Sequence, residues 1–325
     1  MMKYSIAIRT LGTSGEMFVA ELESIKRQTV QPEKVIVYIA EGYERPDYTI
    51  GKEEYVWVKK GMMRQRVLSY DEIDTPLILL LDDDVRLADD CVERLIKGLE
   101  ENNLDCIAAE TFRNYMMPIS GKLYAAITNL NFPHWSKKWG VIVHSNGSFS
   151  YNNSIKRDVY LTQSAAGPAA LWRKQAFLDM HFEDELWLED LGFAFGEDIL
   201  MYNKLHKNGY RLGTHYNCGA KHLNGQTSSG AFKRNLRRFH TRSMAYFLIW
   251  HRICYNLKGS SMGARIWAAL GYGFKSIWLL LVHIASSFYF RSAKVVGYYV
   301  SGIYDGYKMS RSIKYRQLPN YIMKS

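Results

Sequence analysis

The stretch Leu79-Leu80-Leu81-Asp82-Asp83-Asp84-Val85 is the densest chemical signal in the chain. Its aspartates follow an unbroken apolar run, Leu77 to Leu81, of the kind that forms a strand buried on both faces. Side chains alternate along an extended chain, so Asp82 and Asp84 are expected on one side and Asp83 on the other. Two carboxylates on one side repel unless a cation or donor separates them, and hard oxygen ligands suit Mg²⁺ or Mn²⁺. A solvated acidic turn capping the next helix is the competing reading. A second acidic pair, Glu197-Asp198, follows Gly196 and opens a helical pattern that runs to Lys207. A helix macrodipole favours ionised carboxylates there and keeps them available as bases or acceptors. An ordinary acidic helix cap is the alternative.

The elements that must hold these acids alternate between strand and helix patterns. Tyr4–Ile8, Val35–Ile39 and Tyr55–Val58 read as strands. Thr13-x-x-Glu16 resembles a capping box ahead of Phe18, Leu22 and Ile25 at helical spacing. Gly61 to Asp74 reads as helical, as does Asp89 to Glu101, and Ile107 begins another short apolar piece. Alternation of this kind predicts an α/β fold with a mostly parallel open sheet and flanking helices. Ligands of such sheets sit beyond the carboxyl ends of the strands, where Asp82 to Asp84 fall. Val141 to Tyr151, with Asn146-Gly147 at its centre, predicts a hairpin with a type I′ turn. Asn208-Gly209 closes the helix that Glu197 opens.

The 325 residues suffice for one large α/β domain and an appendage, and 47% hydrophobic and 14% aromatic content excludes a disordered chain. Four scattered cysteines, Cys91, Cys106, Cys218 and Cys254, give no zinc or disulfide spacing and fit a reducing compartment. Met1 to Thr10 lacks the basic-then-apolar pattern of a secretory signal, so cytoplasmic residence is expected. The net charge of +10 is unevenly divided. Residues 1–230 carry 26 Lys/Arg against 31 Asp/Glu, whereas residues 231–325 carry 16 against Asp305 alone. The division predicts a catalytic body over 1–230 and a basic, apolar, helical tail over 231–325.

Four motifs occur in a telling order: a polar loop after the first strand, Gly61-x-x-x-x-Arg66, Asp82-x-Asp84, and Gly196-Glu197-Asp198 before a helix ending at Gly209-Tyr210-Arg211. This succession resembles the family 2 glycosyltransferases, inverting enzymes with the GT-A fold, over roughly residues 4–225. The resemblance implies a nucleotide-sugar donor and a divalent cation, Mg²⁺ or Mn²⁺, at Asp82 and Asp84 with His222 nearby. It further implies Asp198 as general base paired with Glu197, and Arg66 in the nucleotide pocket. Thr10, Glu41 and Asp83 are implied on the donor, and Gly167 and Trp172 in the pocket wall. Two departures stand out. Arg9-Thr10 occupies the place of a common proline, and Glu41 is displaced from the position of a base-reading aspartate. His134, His144, His181 and His206 read as structural or exposed, and Trp135, Trp139 and Trp187 as packing residues rather than sugar platforms.

The tail joins cations to apolar surface. Lys233-Arg234, Arg237-Arg238 and Arg242 cluster, and Ser276 to Phe290 carries no formal charge between Lys275 and Arg291. That uncharged run is shorter than the ~20 residues of a spanning helix, so it predicts anchoring in the interface of an anionic membrane, on the inner face of the plasma membrane. The acceptor is then expected to be a glycan or a lipid-linked molecule. Two other functions compete. A sugar-phosphate nucleotidyltransferase also places acidic metal ligands at sheet edges, but Thr10-Leu11-Gly12-Thr13-Ser14-Gly15 is a weak phosphate loop. A non-enzymatic nucleic-acid binder would use the basic tail, whose uncharged Trp/Leu/Phe stretch suits lipid better, so nucleic acid is not expected as a partner.

Overall fold

The computed structural model describes residues 2–111, 118–224, 232 and 235–321. Lys233 and Arg234 of the expected basic cluster lie outside the described residues. The Leu77–Leu81 run becomes β4 (Leu77–Asp82), and its alternation divides two hydrophobic cores. Ile78 and Leu80 enter one core; Leu77, Leu79 and Leu81 enter the other. At ~1.5–3 kcal/mol for each fully buried aliphatic side chain, that two-sided burial fixes the strand at the centre of the sheet.

Around it stand β1 (Tyr4–Thr10), β2 (Val35–Ala40) and β3 (Glu53–Val58) on one side, all parallel. On the other side lie β6 (Cys106–Ala109), β9 (Val159–Leu161), β10 (Ala169–Arg173) and β11 (Leu212–His215). The order of the eight-stranded sheet is β3-β2-β1-β4-β10-β6-β11-β9. β10 is antiparallel to both neighbours and β9 to β11, so six strands share one direction and the sheet is mostly parallel, as expected. β5 (Val85–Arg86) pairs with β12 (Lys221–His222) beyond its edge. Helices α1 (Glu16–Lys26) and α2 (Cys91–Glu101) cover one face.

Three local expectations are corrected. Gly61 to Asp74 makes a single turn and no helix. The backbone N–H groups of Met62 and Met63 donate to the Glu189 carboxylate, and Tyr70 takes a φ of 53° that ends any helical run. The Thr13-x-x-Glu16 capping box does not form, because α1 begins at Glu16 after Gly15 and Ser14 turns its hydroxyl to Asp83. The hairpin of β7 (Val141–Val143) and β8 (Phe149–Tyr151) is present without a type I′ turn. Only Gly147 of Asn146-Gly147 has positive φ, and Gly147 N–H donates to His144 O across a longer loop.

The other face is covered by α4 (Lys174–Leu178), a 3₁₀ segment over Phe182–Leu191, α5 (Glu197–Lys207) and the C-terminal helices. These last are α6 (Arg238–Trp250), continued by a π-helical turn over His251–Tyr255, then α7 (Met262–Tyr289), α8 (Lys294–Ser310) and α9 (Ile313–Arg316). α3 (Ile119–Asn129) lies beside α7, where Trp278 Nε1 donates to Ile127 O. α6 and α8 approach closely, since a Cβ on Gly302 would stand 2.3 Å from His240 O. Ala245, Leu248 and Ile249 of α6 share one core with Trp172 and Leu200 of the body. Glu185, fully buried, accepts from Arg252 at 2.7 Å and from Trp187 Nε1 at 2.7 Å, and Lys204 lies 3.3 Å away.

Candidate active site

Strand register assembles the acids. Arg9 stands opposite Asp82 in the β1–β4 pair, and Arg9 Nη2 donates to Asp82 Oδ1 at 2.7 Å. Pairing of β10 with β4 sets Ala169 opposite Leu81, which brings Gly167-Pro168 beside Asp82. Gly167 O then accepts from Arg9 at 3.2 Å. Gly167 N–H donates to Asp198 Oδ2 at 3.1 Å, tying the first turn of α5 to the end of β4. A Cβ on Gly167 would fall 2.1 Å from Asp198 Oδ1, so glycine is required by the close approach. Pairing of β12 with β5 sets His222 opposite Val85 and carries its Nε2 to 2.9 Å from Asp84 Oδ1.

The chain turns after Asp82, so the three aspartates diverge instead of alternating. Asp82 is held by Arg9 and, at 3.3 Å, by Arg66. Asp83 accepts from the Thr10 hydroxyl. Asp84 faces His222. Arg66 also lies 3.6 Å from Glu197 and 4.0 Å from Asp198, so one guanidinium joins the two acidic segments.

Electrostatics follow from that burial. Desolvation, then the neighbouring Asp198, pushes Glu197 up to about 8. Desolvation also raises Asp198, with Arg66 opposing. Burial acts to raise Asp82, but Arg66 and Arg9 outweigh it and hold its carboxyl below the usual range. Burial alone would lower His222, yet Asp84 raises it. Glu21, fully buried on α1, is raised well above the carboxylate range by desolvation and by Asp83, Asp84 and Asp82.

A cleft of 700 Å³ opens at the carboxyl ends of β1 and β4. Thr10, Arg66, Asp82, Asp83, Asp84 and His222 line it. Gly167 and Asp198 line a small recess that shares Arg9 and Arg66 with the cleft. Trp172 is absent from the open cleft but lines the small recess with Gly167 and Asp198, where it is 2% exposed and stacks on Tyr202, because β10 is an interior strand. Glu41 is exposed at the end of β2, outside the cleft lining. Sequence reasoning gave no site role to Arg9, Glu189 or Glu21. Glu21 was discoverable, since it falls on the apolar stripe of Phe18, Leu22 and Ile25.

Among the described residues no three His, Cys, Asp or Glu side chains surround a common point as a metal cluster. Asp82, turned to two arginines, does not join Asp84 and His222. Asp84 and His222 lie 2.9 Å apart as a hydrogen-bonded ion pair, and this carboxylate and imidazole would hold a divalent cation once that contact opens and a substrate adds further ligands.

No family model matches the chain, and no curated protein matches it. Solved structures do match. One is the crystal structure of GalNAc-T7 with UDP, GalNAc and Mn²⁺, at 12% identity and a TM-score of 0.48, covering 90% of this chain. The chain spans 59% of the length of that structure's chain.

Proposed function

We propose that this protein is an inverting glycosyltransferase of GT-A type that moves a sugar from a nucleotide-diphosphate donor to a hydroxyl of a glycan or lipid-linked acceptor. The observation that carries the reading is the convergence of Asp82, Glu197 and Asp198 on Arg66, beside a cleft at the carboxyl ends of β1 and β4 that Asp83 and Asp84 also line. The helix after β1 leads to β2 on one side of the sheet, while β4 leads to the other, and ligands of open α/β sheets bind at such a switch point. A 700 Å³ cleft lies within the ~300–1,000 Å³ of small-molecule sites.

Within it, the hydroxyl-bearing loop Thr10, Thr13 and Ser14 faces the donor's ribose, and Lys60 offers a cation to its phosphates. Asp198 takes the proton of the attacking hydroxyl, a contribution of ~10²–10⁴-fold when well placed. Burial and the neighbouring Asp198 raise Glu197, which disfavours two charges in the pair, while Arg66 beside Asp198 favours its ionised form. The hydroxyl then attacks the face of the sugar opposite the departing nucleotide. Asp84 and His222 would hold Mg²⁺ or Mn²⁺, which supplies charge neutralisation for the leaving diphosphate.

The same reading puts the enzyme at the cytoplasmic face of an anionic membrane. α7 is long and apolar enough to cross a bilayer by length and composition, and only 11% of its apolar window is buried. Ile266, Leu270, Phe274, Ile277, Leu281 and Phe288 form an exposed stripe, while Ala268, Tyr272 and Lys275 face inward. A helix apolar on one side and packed on the other lies in the interface.

Hydrolysis of a panel of nucleotide sugars with Mn²⁺ or Mg²⁺, repeated with chelator, tests the reaction. Turnover of one donor that stops on chelation is expected. Turnover indifferent to chelator removes the metal, and pyrophosphate release from a nucleoside triphosphate with a sugar phosphate makes the protein a nucleotidyltransferase instead.

A further inference from the structure

A second cavity, of 170 Å³, lies between α3, the β7–β8 loop, α6, α7 and α8. Tyr246 forms part of its wall, and the same ring lies against Gly196, directly before the acidic pair. The lining is cationic. It contains Arg242 and Lys275, an imidazole, His283, whose pKa burial lowers, and no carboxylate. Lys275 is 8% exposed, and among the described residues its Nζ has no hydrogen-bond or ion-pair partner. Burial, with Arg242 nearby, pushes it down to about 8, so it remains mostly charged at neutral pH. Arg242 donates to Asn129 Oδ1 at 3.1 Å and lies over the Tyr246 ring, neither of which neutralises it. A buried ammonium beside a half-buried guanidinium, with no carboxylate in the lining, is costly, and an anion supplied from outside removes that cost. The cavity has room for several water-sized groups.

What surrounds the cavity selects the anion. Ser276, Tyr299 and Ile303 also line an apolar groove of 430 Å³ between α7 and α8. Phe247, Ile277, Leu280 and Val300 complete its walls, and it opens beside the exposed stripe of α7. Lys308 and Arg311 lie over the rings of Tyr304 and Tyr307 at its far end. A phosphate with a hydrocarbon chain matches both compartments, whereas a free anion uses one.

We propose that the cavity and groove together bind a membrane lipid with a phosphate monoester or diphosphate headgroup, its phosphate between Arg242 and Lys275 and its chain between α7 and α8. The proposal rests on the reading that the apolar face meets a bilayer, not on the identity of the reaction.

Thermal unfolding of the full chain with soluble short-chain phosphatidic acid, short-chain phosphatidylcholine or inorganic phosphate tests the site without a bilayer. Phosphatidic acid is expected to raise Tm at concentrations about tenfold or more below those at which inorganic phosphate acts, with no response to phosphatidylcholine. Lys275→Met should unfold at the same or a higher temperature without lipid, yet need about tenfold more phosphatidic acid for the same shift. Should Lys275→Met not fold, Arg242→Gln is read in its place with the same expectation. An equal response to phosphatidylcholine, an equal response to inorganic phosphate, or a folded variant that keeps the full phosphatidic acid response overturns the proposal. A chain that responds to the short-chain lipid but ignores anionic vesicles retains the pocket and loses the bilayer reading.

Discussion

Arg66→Met removes a guanidinium that stands 3.3 Å from Asp82, 3.6 Å from Glu197 and 4.0 Å from Asp198. At such separations and an effective dielectric of ~20, each pair is worth ~4 kcal/mol before desolvation is counted. The Asp198 share is smaller, because its side chain is 30% exposed and partly screened by water. An opposite charge this close lowers a carboxylate pKa by ~1–3 units, so its loss should raise Asp198 by that amount. A base must be ionised to act. The acid limb of the kcat profile should therefore move up by ~1–3 units, with turnover lost first on the acid side and recovering as pH rises.

Stability carries a second signature of the same change. A carboxyl whose folded pKa is raised contributes stability below its unfolded pKa, and that contribution is lost as pH rises through the folded value. Glu197, lifted from 4.5 to about 8, already weakens the fold across that window, and Arg66→Met extends the window upward. Asp82 has the opposite sign. Its depressed pKa adds stability above the unfolded value that is lost as pH falls, and Arg9 preserves part of it at 2.7 Å. Denaturant titrations should show the variant weakened by ~3–5 kcal/mol at pH 8.5 and by less at pH 5. A folded variant whose acid limb stays in place would refute the idea that Arg66 sets the ionisation of the base.

Other perturbations separate the roles. Asp198→Asn should cut kcat ~10²–10⁴-fold, whereas Glu197→Gln, matching the protonated form at neutral pH, should leave kcat at pH 7 within about threefold of wild type. Gly167→Ala places a methyl 2.1 Å from Asp198 Oδ1, so kcat should fall by about tenfold or more while the folding cost stays near ~1–3 kcal/mol in denaturant. Arg252→Met strands the buried Glu185 with Lys204 as its remaining cation, and should lower stability by ~3–5 kcal/mol without moving the pH profile of transfer. Flotation with vesicles should show binding that grows with anionic lipid, weakens with salt, and drops on Leu270→Glu or Phe274→Glu in the exposed stripe.

What the sequence disclosed and what it hid divide along a physical line. Local rules located elements whose burial is settled within a few residues: β4, buried on both faces, and α5, with acids at one end and Asn208-Gly209 at the other. They failed where a distant partner decides. Gly61 to Asp74 has helical spacing, yet Tyr70 packs its ring on Tyr38 and the distant Phe177 with a φ of 53°, which breaks the run. The alternation that set Asp82 beside Asp84 holds only while the chain is extended, and it turns once Arg9 and Arg66 claim Asp82. Trp172 follows Gly167 closely in the chain and shares the small recess with it, but β10 inserts antiparallel between two parallel strands and keeps Trp172 out of the open cleft. Arg9 stands out in the sequence only as a departure from a proline: a cation inside an apolar strand signals a buried anion, and its partner becomes visible only in the register between β1 and β4. The acids themselves were legible because apolar runs rarely end in three aspartates. Their arrangement was not, because the arginines that orient them come from other elements, and charge pairs between elements leave no periodic trace in a chain.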